Sequence, residues 1–242
     1  MSDTFCILPW IHLYANADGS VIPCCIAHHH DHLGNVRDKT IEEIWNSDGY
    51  KNLRKNMLSG VRSSNCRACY KNEDIGITSA RETANYKYRR FISLKDLTNT
   101  DGSLDDVSLK YLDIRWSNIC NLKCRSCSPT YSSSWAKEDG RPNVFIFSGG
   151  ENNDDFYNQI KPHLLNIEEF YFAGGEPLLT DKHYEILNYL LEHGRTDVRI
   201  RYNTNMSVLK YKDQNVIDLW KHFHTIFVGA SLDSWGDRAE YI

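Results

Sequence analysis

The chain reads YLDIRWSNICNLKCRSC over residues 111–127. The first six residues form a strand-like run, and the rest place Cys120, Cys124 and Cys127 in a CxxxCxxC loop. A loop of this spacing can wrap three thiolates around one iron–sulfur cube, whereas ordinary [4Fe–4S] carriers use four cysteines. We therefore predict a metal centre with an open coordination position, where a metal can do chemistry. Structural zinc is the alternative, although the motif contains no obvious fourth ligand.

Outward from this loop, strand patterns alternate with helical ones. We predict strands at 111–116, 167–173, 198–202 and 226–231, with helices at 154–165, 182–192 and 215–222. Such alternation favours parallel βα units and an α/β fold.

A second motif, Gly174-Gly175-Glu176-Pro177, follows the predicted second strand. Glycines without a Cβ allow the backbone to approach a ligand closely, and the proline fixes the turn. Alone, such a motif is an ordinary turn after a strand. Its position downstream of the cysteine loop favours a functional interpretation.

Polar residues also follow the third and fourth strands, where barrels of parallel strands bind their ligands. They are Asn203, Asn205, Ser231 and Asp233. The alternative for each is that it only caps a turn.

The cysteine loop and the GGEP motif together resemble the signature of the radical S-adenosylmethionine (radical SAM) superfamily. The resemblance implies a SAM-binding [4Fe–4S] cluster at Cys120, Cys124 and Cys127, with the open iron binding the amino and carboxylate groups of SAM. It gives Glu176 a contact with the SAM ammonium, and the strand-end residues contacts with its methionine or ribose. Reductive cleavage of SAM would yield a 5′-deoxyadenosyl radical.

The resemblance extends from about Tyr111 to the C-terminus and implies a partial (β/α) barrel. That family's core has six strands, but only about four can be counted here, and the fifth-strand motif that contacts adenine is absent. Ser126 also stands where the family often has an aromatic residue near the adenine. We expect an apparently truncated barrel whose last strand has an unpaired edge, and hypothesise that the sequence is the N-terminal part of a longer reading frame.

The N-terminal third contains Cys6, Cys24, Cys66 and Cys69. These cysteines and the Gly19–Cys24 run resemble the twitch module, a shortened relative of the SPASM domain that binds an auxiliary [4Fe–4S] cluster. The resemblance implies a small β-hairpin plus helix module that precedes the barrel. A zinc knuckle with the same four thiolates is the alternative. We predict the module at 1–72, a linker at 73–108 and the radical SAM core at 109–242.

Within the module, alternating residues and the turn at Asp18-Gly19 predict a hairpin over 6–25. Thr40 and Glu43 form a capping box that starts a helix with Ile41, Ile44 and Trp45 on its apolar face. Another short helix with Leu53, Met57 and Leu58 is expected to follow.

Composition narrows the possible classes of protein. The 242 residues have 41% hydrophobic residues and a formal net charge of −4, which indicates neither a nucleic-acid binder nor a membrane-surface protein. No run is long and apolar enough for a membrane span, and the N-terminus lacks the pattern of a signal peptide. We expect a cytoplasmic protein whose eight cysteines serve metal sites rather than disulfides.

Two features fall outside these patterns. Cys25 is left over and is interpreted as a free thiol, with a substitute ligand or an oxidation-sensitive site as alternatives. The tract His28-His29-His30-Asp31-His32 could bind metal, but a solvated loop is the favoured interpretation.

The sequence thus predicts a radical SAM enzyme with SAM and two [4Fe–4S] clusters, acting on a peptide or small molecule. An electron donor such as flavodoxin or ferredoxin would be its partner. The alternative is a non-catalytic zinc- or cluster-stabilised peptide-binding module.

Overall fold

The computed structural model describes residues 3–28, 32–142, 155–234 and 236–237. The chain divides into two compact units: Met1–Ala15 with Ser20–Lys110, and Asn16–Gly19 with Tyr111–Ile242. Within the described residues, no helix has the length and apolar character that a membrane crossing requires.

The first unit combines short strands with helices. Its strands are β1 (His12–Ala15), β2 (Ser20–Ile22) and β3 (Gly34–Asn35), which pair antiparallel in the order β3-β2-β1. Its helices are α1 (Leu8–Ile11), α2 (Ile41–Trp45), α3 (Asp48–Leu58), α4 (Arg67–Asp74) and α5 (Ala80–Lys87), with 3-10 turns at Ser64–Cys66 and Arg89–Leu97.

The predicted hairpin over 6–25 is confirmed only in its centre. β1 and β2 pair across the turn, but Leu8–Ile11 is helical and all four of its residues are buried. Pro9 at the helix start explains the difference, because its fixed φ suits the first helical turn and it has no N–H to give to a strand. A segment buried on every side carries no alternation that distinguishes a strand from a short helix.

The capping box at Thr40 is confirmed. The Thr40 hydroxyl accepts from the Glu43 amide at 3.2 Å, and the Glu43 carboxylate accepts from the Thr40 amide at 2.8 Å. The predicted face of Ile41, Ile44 and Trp45 is buried. In α3, Leu53 and Met57 are buried, whereas Leu58 is exposed.

The stretch 73–108, predicted as a linker, contains the end of α4, all of α5 and the long 3-10 turn, and belongs to the first unit. A second capping box explains the start of α5: Ser79 caps the Glu82 amide, and Glu82 reaches back to Ser79. Ser79-x-x-Glu82 is a local signal of a helix start, but the polar composition of the stretch favoured the interpretation as a linker.

In the residues that the structure describes, the second unit contains four parallel strands with helices between them, which confirms the predicted α/β class. The strands are β4 (Tyr111–Ile114), β5 (Glu169–Phe172), β6 (Arg199–Thr204) and β9 (Ile226–Ala230), and they follow one another in that order. The helices are α6 (Ser133–Glu138), α7 (Asp155–Ile160), α8 (Asp181–Glu192) and α9 (Val216–Trp220). A small antiparallel pair consists of β7 (Lys210–Tyr211) and β8 (Gln214–Asn215).

The two faces of this sheet differ in chemistry. One face carries the buried apolar side chains of Leu112, Phe170, Phe172, Ile200 and Tyr202. His183 of α8 packs edge-on against Phe172, and its Nε2 lies 2.8 Å from the Tyr202 hydroxyl. The sequence pattern of alternating positions therefore buries its apolar members against α8.

The opposite face is charged. The register aligns Asp113, Tyr171 and Arg201 across β4, β5 and β6, and aligns Glu169 with Arg199. Asp113 and Glu169 are both fully buried. Arg199 Nε and Arg201 Nη1 lie 3.1 and 3.3 Å from the Glu169 carboxylate oxygens, so this buried charge is paired.

Candidate metal centres

Four cysteines of the first unit face one cavity. Cys6, Cys24, Cys66 and Cys69 all line it, and the cavity contains about 320 Å³ of space, its open mouth included. Much of the rest of the wall is apolar and comes from Leu8, Ile26, Ala27, Ala68 and Ala80. The structure therefore brings together the four residues that the sequence predicted as one ligand set.

Each ligand position comes from a different local structure. Cys6 precedes α1, and Cys24 follows β2. Cys66 ends the 3-10 turn Ser64–Cys66, and Cys69 lies in the first turn of α4, so these two thiols are one helical turn apart. Tertiary contacts within the first unit are therefore needed to bring together Cys6, Cys24 and the Cys66–Cys69 pair.

The electrostatics of this site disfavour free thiolates. Burial raises the pKa of Cys6 well above its ordinary value, and the nearby thiols of Cys24, Cys66 and Cys69 add to the effect. Burial likewise raises the pKa of Cys24 to about 12. Thiolate ligands at this site therefore need the positive charge of a bound metal or cluster to hold them deprotonated.

Cys25 is exposed and is not among the residues that line the cavity. Of the His28–His32 tract, His28 and His32 are exposed, and residues 29–31 lie outside the described ranges.

The three cysteines of the second unit lie on a loop between β4 and α6, and all three are partly exposed. The start of α6 holds this loop. The Cys120 amide donates to the Ser133 hydroxyl at 3.0 Å, the Ser134 hydroxyl donates to the Cys120 carbonyl at 2.9 Å, and Trp135 Nε1 donates to the Cys124 carbonyl at 3.0 Å. Because these bonds go to the backbone, they leave the three thiols available as ligands.

Two of these thiols, those of Cys120 and Cys124, interact with acidic residues of the predicted site. Burial raises the pKa of Cys120, and the charges of Glu176, Cys127 and Cys124 raise it further. Burial also raises the pKa of Cys124, with Asp233 and Cys127 adding to it. The structure thus places Glu176 and Asp233 beside the cysteine loop.

The GGEP glycines allow two backbone segments to touch. A Cβ on Gly175 would lie 2.1 Å from the Ile119 carbonyl oxygen, so no other residue fits there. The Gly175 amide donates to Ser117 O at 3.0 Å, and the Glu176 amide donates to Ile119 O at 2.6 Å. The sequence predicted that the backbone at these glycines approaches a ligand closely. In the structure it approaches the backbone of Ser117 and Ile119, immediately before the cysteine loop.

The Glu176 carboxylate is almost fully buried and receives three hydrogen bonds. Leu178 N and Thr204 Oγ1 donate to Oε1 at 3.0 and 2.6 Å, and Asn205 N donates to Oε2 at 2.7 Å. Pro177 is buried at the first position of the 3-10 turn that follows. These bonds fix the position of the carboxylate beside Cys120.

Two of the predicted strand-end residues contact the cysteine loop. Asn205 Nδ2 lies 3.8 Å from Cys120 Sγ and donates to Asn121 Oδ1 at 3.1 Å. Asp233 Oδ2 accepts from the Ser126 hydroxyl at 3.0 Å. Ser126, which stands where the family that the sequence resembles often has an aromatic residue, therefore makes a polar contact with Asp233.

The other two strand-end residues are exposed and lie at the ends of β6 and β9. The Asn203 side chain lies against Gly229, where a Cβ would come within 2.7 Å of its Oδ1. The Ser231 amide donates to Thr204 O at 2.8 Å, a continuation of the strand pairing. This backbone bond does not involve the Ser231 side chain, whose role stays a prediction.

Sequence reasoning missed several residues that hold this site. They are Thr204, Asn121, Ser133, Ser134 and Trp135. The run Ser132-Ser133-Ser134 does carry a signal, because Ser132 is the cap of α6 and accepts from the Trp135 amide at 3.3 Å.

In the part of the chain that the structure describes, no three His, Cys, Asp or Glu side chains converge closely enough to hold a single metal ion.

Comparison with known families gives one match. Residues 6–70 match the SPASM family, an iron–sulfur cluster-binding domain. The match covers about a quarter of the chain and includes all four cysteines that line the cavity. It supports iron–sulfur cluster binding by the first unit. No curated protein and no solved structure matches the chain.

Proposed function

We propose that the chain is a radical SAM enzyme that binds SAM at the Cys120–Cys127 loop and begins hydrogen-atom abstraction from its substrate. One observation carries this proposal: Cys120, Glu176 and Asn205, from three separate parts of the sequence, meet beside one loop of three partly exposed cysteines. An electron carrier with a buried cluster would have no use for a fixed carboxylate and carboxamide at an exposed loop.

A reduced [4Fe–4S] cluster bound here would supply the electron for the reductive cleavage of SAM. The thiols of Cys120, Cys124 and Cys127 would hold it with three ligands and would leave one iron for SAM. The carboxylate of Glu176 is held in place by Thr204 and Asn205, so it can accept a charge-assisted hydrogen bond from the SAM ammonium without reorganising.

Polar groups around the loop have complementary roles. Asn205 fixes the loop through Asn121, and Ser207 donates to Asn205 Oδ1 at 2.7 Å. Asp233 and Ser126 form a polar edge at the end of β9, suited to the hydroxyl groups of a ribose. The residues Gly174, Pro177, Asn203 and Ser231 are proposed as further SAM contacts or supports.

We assign the four cysteines of the first unit to a second, auxiliary [4Fe–4S] cluster. The SPASM match supports a cluster over a zinc knuckle with the same ligands. Because Cys6, Cys24, Cys66 and Cys69 would occupy all four irons, this cluster would be closed to substrate and would serve electron transfer or order the fold. A peptide or small-molecule substrate and a flavodoxin or ferredoxin donor complete the proposal.

The test is anaerobic formation of 5′-deoxyadenosine from SAM and dithionite by the reconstituted protein. The wild-type chain should form it, and Cys124→Ala should not. The matched control is Cys25→Ala. Cys25 is exposed and belongs to neither ligand set, so this variant should leave the product yield unchanged.

Iron and sulfide analysis completes this test. Two cubes correspond to about eight irons per chain. A wild-type protein with about four irons, one zinc and no 5′-deoxyadenosine would contradict the enzyme assignment and favour the non-catalytic peptide-binding module.

A further inference from the structure

Cys6 lies in an irregular segment and has no neighbouring ligand along the chain. Cys66 and Cys69 share one helical turn, whereas 17 residues separate Cys6 from Cys24, and Cys6 precedes the first helix of the unit. A ligand in an irregular segment needs other contacts to hold its backbone, because no ladder of hydrogen bonds does so.

Those contacts come from α5, which lies outside the residues matched by the SPASM family. Arg81 Nη1 donates to the Phe5 carbonyl at 2.7 Å. Asn85 Nδ2 donates to the same carbonyl at 2.8 Å, and Asn85 Oδ1 accepts from the Ile7 amide at 2.8 Å. The two residues that flank Cys6 are thus held by two side chains of one helix.

Arg81 is itself held firmly. Its Nε and Nη2 donate to the two carboxylate oxygens of Glu73 at 2.9 and 2.6 Å, a bidentate ion pair that is largely buried. Glu73 is on α4, four residues after Cys69. Arg81 therefore connects the helix that carries Cys69 to the backbone beside Cys6, and it also lines the cavity that the four cysteines face.

We infer that α5 is a clamp on the Cys6 ligand, in which Arg81 and Asn85 act as positioning residues that keep the auxiliary cluster closed by four cysteines. This inference rests on the auxiliary cluster of the proposed function. It extends the cluster-binding module beyond residue 70 to at least Lys87. Neither residue contributes a ligand; their effect is on how long Cys6 stays bound.

The chain offers a matched control in Arg62. Arg62 also forms a bidentate pair with an α4 carboxylate, that of Asp74, and also lies over the Tyr70 ring, at 5.1 Å compared with 5.8 Å for Arg81. Its pair is exposed, however, and its described hydrogen bonds go to Asp74 rather than to the neighbours of Cys6. Arg62→Met therefore removes a similar ion pair without touching the clamp.

The experiment uses the full chain with Cys120, Cys124 and Cys127 changed to alanine, so that only the auxiliary cluster contributes iron. The rate of iron release to EDTA is measured under anaerobic conditions. Arg81→Met with Asn85→Leu should release iron about 10–100 times faster than the parent, because the loss of groups that orient metal ligands typically lowers metal affinity by about that factor. Arg62→Met should release it at the parent rate.

A second readout needs no cluster. In the metal-free chain, the Ile7 amide should exchange its hydrogen faster in Asn85→Leu than in the parent, because its acceptor is lost. The conservative variants Arg81→Lys and Asn85→Asp, which each keep part of the clamp, should fall between parent and double variant. They keep the test decisive if the double variant fails to fold.

Two results would overturn the inference and leave the auxiliary-cluster assignment intact. One is the same iron-release rate in the parent and the double variant; the other is an increase in that rate in Arg62→Met as large as in the double variant. A parent that holds no cluster would overturn the auxiliary-cluster assignment and the clamp with it.

Discussion

The two groups of cysteines lie in opposite surroundings. The four of the first unit face a largely apolar cavity, and burial raises the pKa of Cys6 and Cys24. The three of the second unit are partly exposed and lie among carboxylates and amides that other elements hold in place. The two environments suit the two proposed roles. A cluster with four protein ligands needs only shielding from solvent, whereas a cluster with an open iron needs fixed polar groups for the molecule that binds there.

The largest expected difference between the sites is in stability. The Cys66→Ser and Cys69→Ser double variant should lose the auxiliary cluster and several kcal/mol of folding free energy in the first unit, since binding at a structural metal site contributes directly to folding. Cys124→Ser should leave the thermal unfolding midpoint nearly unchanged, because its loop is exposed. Calorimetry of the reconstituted proteins measures both, and equal losses would remove the distinction between a structural and a working site.

The sheet of the second unit contains a fully buried carboxyl group, that of Asp113. Burial raises the pKa of Asp113 to about 7, although Arg115, with Nη2 3.2 Å from its Oδ1, and Arg201 oppose the shift. A raised pKa gives stability that is complete below the unfolded-state value of about 4 and is lost as the pH rises towards 7. The wild-type free energy of unfolding should therefore fall with pH across this window, relative to Asp113→Asn.

The slope difference should approach 1.4 kcal/mol per pH unit. Urea denaturation of the metal-free wild type and of metal-free Asp113→Asn between pH 4.5 and 7.5 measures this difference in slope. Without a cluster, its loss in acid cannot contribute. Parallel curves for the two proteins would show that Asp113 ionises normally in the fold.

A smaller effect is expected at the carboxylate that faces the cysteine loop. Thr204→Val removes the 2.6 Å hydrogen bond to Glu176 and leaves a buried carboxylate oxygen with one partner fewer, at a cost of about 1–3 kcal/mol. Thr204→Ser keeps the hydroxyl and should cost less. Denaturation midpoints and SAM affinity should change in the same order, and a valine variant with serine-like behaviour would show that the bond contributes little.

The smallest effect concerns the sulfur of Cys120. Asn205→Ala removes the Nδ2 donor that lies 3.8 Å from Sγ, and hydrogen bonds to ligand sulfurs stabilise the reduced cluster. The midpoint potential of the SAM-responsive cluster should become more negative. Ser207→Ala, which removes a bond to the other end of the same carboxamide, should leave the potential unchanged; an equal shift in both variants would assign the effect to loop disorder.

The sequence predicted most of the second unit. All four strands begin and end within two residues of their predicted limits, because parallel strands covered by helices give apolar runs that periodicity detects. It predicted less of the first unit: α1 and α5 were missed because one is buried on all sides and the other is polar.

The ligand sets of the two sites could be proposed from spacing, but their supports could not. Arg81 and Asn85 act on residues more than 70 positions away, and Thr204 acts on Glu176 across 28. Such contacts depend on how elements pack, and no local pattern of residue types encodes them.

We propose that the chain holds two unlike clusters and that only the one at Cys120, Cys124 and Cys127 binds SAM. Electron paramagnetic resonance of the reduced, reconstituted protein, recorded with and without SAM, distinguishes the two clusters. We expect two cluster signals, of which one changes on addition of SAM and disappears in Cys124→Ala while the other persists. Spectra that SAM leaves unaltered, in a protein with both clusters present, would contradict it.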